Sequence, residues 1–390
     1  TISGTGSLVQ AGTGTLAIAG AAGYAGSTTV NAGTLALIGA GSIAASSGLV
    51  NNGTFDISGT TSGATINAIT GTGTVALGDR TLTLTNAAGT FAGTIGGTGA
   101  VTVGGGTQTL SGVNTYTGVT TVNAGTLALT GAGSIAASSG VVNNGTFDIS
   151  GTTSGATINA ITGTGAVALG GRTLTLANAA GTFDGAIGGT GGLTVAGGTQ
   201  TLSGTNGFTG ATSISAGTLA LSGAGSIAAS SGVINNGTFD ISGTTSGATI
   251  NALTGIGSVA LGGRTLTLAN AAGTFSGAIG GTGGLTVAGG TQTLSGVNGY
   301  TGTTSISAGT LALSGAGSIA TSGGVVNNGT FDISGTTSGA TVNALTGTGT
   351  VALGGRTLTL ANAAGTFSGA IGGTGGLTVA GGTQTLSGVN

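Results

Sequence analysis

The sequence predicts an all-β chain wound into a right-handed parallel β-helix (a β-solenoid), with about four coils in each 92-residue repeat. Three observations carry that expectation. Phe55-Asp56-Ile57 returns as Phe147-Asp148-Ile149, Phe239-Asp240-Ile241 and Phe331-Asp332-Ile333, each copy 92 residues after the last. A long period of this regularity is the mark of stacked repeats. Within each repeat, short runs alternate large apolar, small or polar, large apolar between glycines, as a strand does when one of its faces is buried. Third, the 390 residues include 92 Gly and no Pro, with 38% hydrophobic and only 3% charged residues. That is too apolar and too uncharged for disorder. Gly keeps no regular triplet spacing, which excludes collagen. Pro cannot donate a ladder hydrogen bond, so its absence suits strands with neighbours on both sides.

Taken in order, Leu35-Ala36-Leu37, Phe55-Asp56-Ile57 and Val75-Ala76-Leu77 begin at equal, short intervals. Val101-Thr102-Val103 follows after a longer interval, and Leu127-Ala128-Leu129 after the same longer one. Each interval reads as one coil, two short and two long in every repeat. Leu35, Phe55 and Val75 are then expected to stack, as are Leu37, Ile57 and Leu77. Asn31 and Asn51 precede their stacks by four positions and are expected to begin an internal Asn ladder; Asn123 with Asn143 repeats the arrangement, while later copies pair Ser215 with Asn235 and Ser307 with Asn327. On this reading residues 1–390 form a single continuous solenoid, with repeats at about 1–93, 94–185, 186–277 and 278–369 and a partial repeat at 370–390. Gly381 to Asn390 match Gly289 to Asn298, so the pattern stops in mid-course and flanking sequence is expected. A row of antiparallel sandwich domains would explain the long period but not the shorter echoes inside it. No stretch sustains a helical apolar period, and Gly and β-branched residues disfavour helix.

The inventory of reactive groups is nearly empty. The ten charges are four Arg and six Asp, giving a net charge of −2, and there is no His, Cys, Lys or Glu. Neither a Ser–His or Cys–His pair nor a Lys nucleophile can be assembled, so the chain reads as no enzyme. Asp56, Asp148, Asp240 and Asp332 recur four coils apart, too far for the paired carboxylates of a glycosidase; they read as solvated residues on the outer face. Asp79 and Asp184 occur once each. The repeated Asp of calcium-binding β-rolls is missing, Gly96-Gly97-Thr98-Gly99 lacks the Lys of a phosphate loop, and no metal or cofactor is expected. The absence of a basic patch argues against nucleic acid and anionic membrane as partners.

The residues left as possible surface contacts are Tyr24, Tyr116, Phe208 and Tyr300, together with Arg80, Arg172, Arg264 and Arg356. Exposed aromatics anchor sugars and proteins well, but a repeated aromatic also packs against a coil corner. The arginines would meet an acidic glycan or, at a strand entry, satisfy loop carbonyls. Asn52-Gly53-Thr54 and its copies would accept a glycan in a eukaryotic secretory protein, but Asn-Gly reads more simply as a tight turn. Thr81-Leu82-Thr83-Leu84-Thr85 would project Thr outward, although an ice-binding row would need them on successive coils.

The stretch from Gly106 to Leu127, GTQTLSGVNTYTGVTTVNAGTL, resembles the β-strand repeat of bacterial autotransporter passenger domains. It returns with small changes ending at Leu219 and Leu311, and more loosely at Leu35, where Ala21-Ala22-Gly23-Tyr24 lacks the Asn of Asn114-Thr115-Tyr116. The resemblance implies a non-catalytic stalk exported to the bacterial cell surface or beyond, with a signal peptide and an outer-membrane β-barrel anchor lying outside this sequence. It implies a role in adhesion, autoaggregation or biofilm formation, with host glycans and proteins, or the chain itself, as partners. The alternative is a self-assembling surface fibre or filament subunit built from stacked solenoid rods; a third reading places an enzyme domain elsewhere on the same polypeptide.

Overall fold

Alternating strands with Gly at their ends give a computed structural model that describes residues 2–389. The chain divides into two compact units, Thr1–Leu193 and Thr194–Asn390, and each is a parallel β-solenoid of the kind the sequence predicts.

In the first unit one coil takes three strands, Ala64–Ile66, Ile69–Thr70 and Thr74–Ala76, before the chain returns at Leu82–Leu84 above its starting point. The three strands begin three faces. On the first, Ala64, Leu82, Val101, Thr120, Val141 and Ile161 lie in parallel register, one above the next. On the third, Leu16, Leu35, Phe55, Val75 and Ile95 do the same. The second unit repeats the plan, with Ala248, Leu266, Leu285, Thr304, Val325 and Leu345 in one ladder. Parallel strands buried on their inner face form a continuous apolar column. Leu35, Phe55, Val75 and Ile95 are fully buried, as are Leu37, Ile57 and Leu77 behind them. The expected Leu35–Phe55–Val75 stack is therefore present, with a bulge just beyond it between Ala36 and Ile38.

The longer coils are not present. Val75 is followed above by Ile95, an interval no longer than the one from Phe55 to Val75. Val101–Val103 lies on a different face, paired to Leu82–Leu84, and Leu127 sits over Gln108. The steps that carry the first face from Ala64 to Ile161 are uneven but all short. The physical reason is that strands pair in register with the coil beneath on each face, so every coil must match its neighbour's perimeter and lengthens only by looping residues out. One repeat thus makes more than four coils. Five steps from Ala64 lead to Ile161, whereas the residue equivalent to Ala64 in the next repeat is Ala156. Ala156 belongs to the strand just before, on the neighbouring face. Equivalent residues of successive repeats in this unit therefore sit one face apart.

Corners are tight, and glycine makes them possible. Gly71, which follows Ile69–Thr70, has φ +107, a conformation L side chains rarely adopt. A Cβ there would press on the backbone of Asn51 in the coil beneath. All positive-φ residues among those described are Gly.

Candidate contact surface

The four aromatics point inward. Tyr116, Phe208 and Tyr300 are fully buried and Tyr24 is 2% exposed, so the expectation that they offer surface contacts is corrected and their packing role is what the fold uses. Each phenol closes a buried hydroxyl chain. Tyr116 Oη lies 2.7 Å from Thr120 Oγ1, which donates to Ser138 Oγ at 2.9 Å, and Ser138 Oγ donates to the Gly118 and Gly140 carbonyls. Tyr24–Thr28–Ser46 and Tyr300–Thr304–Ser322 repeat it. Burial pushes the Tyr116 and Tyr300 phenols well above their ordinary value of 10.0, against a smaller lowering by the Thr hydroxyl. They remain neutral at any physiological pH.

The arginines are placed at strand entries, as one of their two expected roles requires. Arg172 and Arg264 Nη1 donate to the Thr153 and Thr245 carbonyls of the preceding coil at 3.0 Å, and Arg356 to Thr337 at 3.1 Å. Arg80 reaches Thr61 at 3.5 Å and has Asp79 Oδ1 3.1 Å from its Nε, without hydrogen-bond alignment. A guanidinium used in this way still shows part of its edge to solvent. Single charges of this kind are worth little in isolation, and the four are spread one per repeat. Asp56, Asp148, Asp240 and Asp332 each accept a hydrogen bond from the backbone N–H two positions on, at 2.8–2.9 Å, an Asx-type turn on the outer face.

The Asn ladder fails. Asn51 stacks on Val30 and Asn143 on Val122, while Asn31 and Asn123 are exposed, because the inward position belongs to the valine beside each. Asn51, Asn143, Asn235 and Asn327 are buried singly, and each Nδ2 donates at 2.7–2.8 Å to a carbonyl of the next coil.

The outer faces carry a pattern the sequence reading missed. Thr15, Thr34, Thr54, Thr74 and Thr94 form one row on consecutive coils. Thr65, Thr83, Thr102, Thr121, Val142 and Thr162 form another on the first face. In the second unit Thr249, Thr267, Thr286, Ser305, Val326 and Thr346 repeat the second row. Outward Thr therefore extends over successive coils beyond Thr81-Leu82-Thr83-Leu84-Thr85. The uneven coil steps hide the rows from a search at fixed period; the first row is the Thr that precedes each apolar triplet, and the second is the middle residue of triplets such as Leu82-Thr83-Leu84. Grooves are shallow and uncharged. One of about 200 Å³ lies between Gly131–Ser134 and Ser154–Thr157, below the size of an ordinary small-molecule pocket. No cluster of metal-ligating side chains and no helix able to cross a membrane is present among the described residues.

Residues 8–37, 101–129, 197–221 and 289–313 match the passenger-associated-transport-repeat family. No curated protein and no solved structure matches the chain. Each matched segment contains one of the four buried aromatics, Tyr24, Tyr116, Phe208 or Tyr300, and ends on the Leu-Ala-Leu strand that follows it.

Proposed function

We propose that the chain, which carries the passenger-associated transport repeat four times, is the stalk of an autotransporter-type surface adhesin that mediates adhesion, autoaggregation or biofilm formation. Its role is structural and non-catalytic. The observation that supports the reading is the neutral outer face. In the first unit two registered rows of Thr stand on consecutive coils, and none of their hydroxyls has a protein partner. β-Branched side chains are stiff at χ1, so such a row presents methyl and hydroxyl groups at fixed intervals of about 4.8 Å. Each contact it makes is weak, and repetition sums them. With a net charge of −2 over 390 residues, two such faces approach without appreciable repulsion. Export to the cell surface and an outer-membrane anchor outside this sequence belong to the same proposal.

The test is clumping of cells that display the chain, comparing the parent with Thr83→Lys/Thr121→Lys. The reading predicts that the parent clumps and that the charged row does not, with both chains displayed equally. Equal clumping of the two, or none in the parent, overturns it. Long filaments from purified parent chain would favour the fibre alternative.

A further inference from the structure

We propose that the four Asn-Gly-Thr turns, at Asn52, Asn144, Asn236 and Asn328, are acceptors for N-linked sugar. These are the only Asn-x-Ser/Thr triplets in the sequence, and they recur at the same place in every repeat. Such a triplet is a candidate acceptor only where the Asn amide is reachable, and here the fold separates two adjacent amides. Asn51 is fully buried with its Nδ2 donating inward, while Asn52 is exposed. Asn143 and Asn144 are divided in the same way.

The exposed amides are held by one end. Asn52 Oδ1 accepts from the Thr72 N–H at 3.2 Å, and Asn144 Oδ1 from Thr164 at 3.3 Å; Asn236 and Asn328 do the same with Ile256 and Thr348, at 3.3 and 3.2 Å. In each case the oxygen is anchored and the nitrogen, the atom that takes the sugar, has no protein partner. The third residue keeps its hydroxyl outward as well: Thr54, Thr146 and Thr330 make no side-chain bond, and Thr238 pairs with Ser258 at 3.0 Å. The competing fate of Asn-Gly is cyclisation, in which the Gly nitrogen attacks the side-chain carbonyl. That nitrogen is tied inward here, Gly53 N–H to the Val30 carbonyl and Gly145 N–H to Val122, both at 3.1 Å.

The donor class is a sugar activated as its nucleoside diphosphate. The Asn Nδ2 attacks the anomeric carbon and the N–C1 bond forms. The C1–O bond to the diphosphate breaks and the nucleoside diphosphate leaves. One amide proton passes to a base of the transferase, so no oxidant or reductant is needed.

The experiment is peptide mass mapping of the full chain purified from the cells that naturally produce it. Hexose-sized additions are expected at Asn52, Asn144, Asn236 and Asn328 and at no other Asn. In those cells Thr54→Val should remove the sugar from Asn52 alone, and Asn52→Gln should do the same without touching the Thr row. Bare Asn at all four positions overturns the proposal, as does sugar found only on Ser or Thr, or sugar retained at Asn52 in Thr54→Val.

Discussion

The repeat built on Tyr116 and the repeat built on Phe208 solve one packing problem with and without a hydroxyl. Around Tyr116 the buried chain runs from phenol to Thr120 to Ser138 to two Gly carbonyls. Around Phe208 the same Thr and Ser positions persist: Thr212 donates to Ser230 at 3.0 Å, and Ser230 to the Gly210 and Gly232 carbonyls at 2.9 and 3.1 Å. Both rings are fully buried. The fold therefore depends on the aromatic body at this corner and on the Thr–Ser pair that seals the Gly carbonyls. The phenol adds one hydrogen bond and a group that must never be left unpaired.

The bluntest way to break the comparison is to remove both rings. Tyr116→Ala and Phe208→Ala should each cost about 3–5 kcal/mol from the cavity left behind, read as a drop in denaturant midpoint; a much larger loss at Tyr116 would mean the phenol is essential. A sharper contrast comes from Thr120→Val and Thr212→Val. The first strands a buried phenol and should cost about 1–3 kcal/mol, the second gives up one ordinary hydrogen bond at about 0.5–1.5 kcal/mol. Equal costs would show that the phenol finds another partner.

Alkali separates the two repeats as well. A phenol in the unfolded chain releases its proton near pH 10, while the folded Tyr116 and Tyr300 hold theirs to higher pH because burial penalises the anion. Their contribution is complete below the unfolded value. It falls by about 1.4 kcal/mol per pH unit per phenol above that, until the folded group also ionises. Tyr116→Phe should shift the alkaline unfolding midpoint upward, as followed by circular dichroism; an unchanged midpoint would show that the phenol is solvated. In the reverse direction, Phe208→Tyr should complete the hydroxyl chain and raise stability by about 0.5–1.5 kcal/mol. The smallest effect is expected outside the corner. Arg172→Gln should stay within about 0.5 kcal/mol, since the side chain holds one carbonyl at the surface.

Much of this was legible from residues alone. The apolar–small–apolar triplets identify the inward positions, and Leu35, Phe55 and Val75 stack as their spacing implies. What the triplets do not encode is which face they occupy. Val101–Val103 alternates just as Val75–Leu77 does, yet it belongs to a different ladder, because alternation reports burial and not direction around the axis. The Asn ladder failed for a related reason. Asn31 and Asn51 seem equivalent by count, but strand pairing sets Asn51 on Val30, and an offset of one position turns a side chain from the inside to the outside. The aromatic positions were recognisable as part of the repeat; that they end in hydroxyl chains needed the Thr and Ser of the neighbouring coil.

The mismatch between repeat and coil has a further consequence. In the first unit, Asn52 follows a strand of the second face, the ladder that runs through Leu49 and Ile69, whereas Asn144 follows a strand of the first face, through Val141 and Ile161. A gene that duplicates one segment thereby distributes its product angularly, like treads on a spiral stair. Whatever a single repeat exposes, a partner or an antibody must approach from a new azimuth to meet it again. Uniform sequence thus places the same turn on two different faces of one unit.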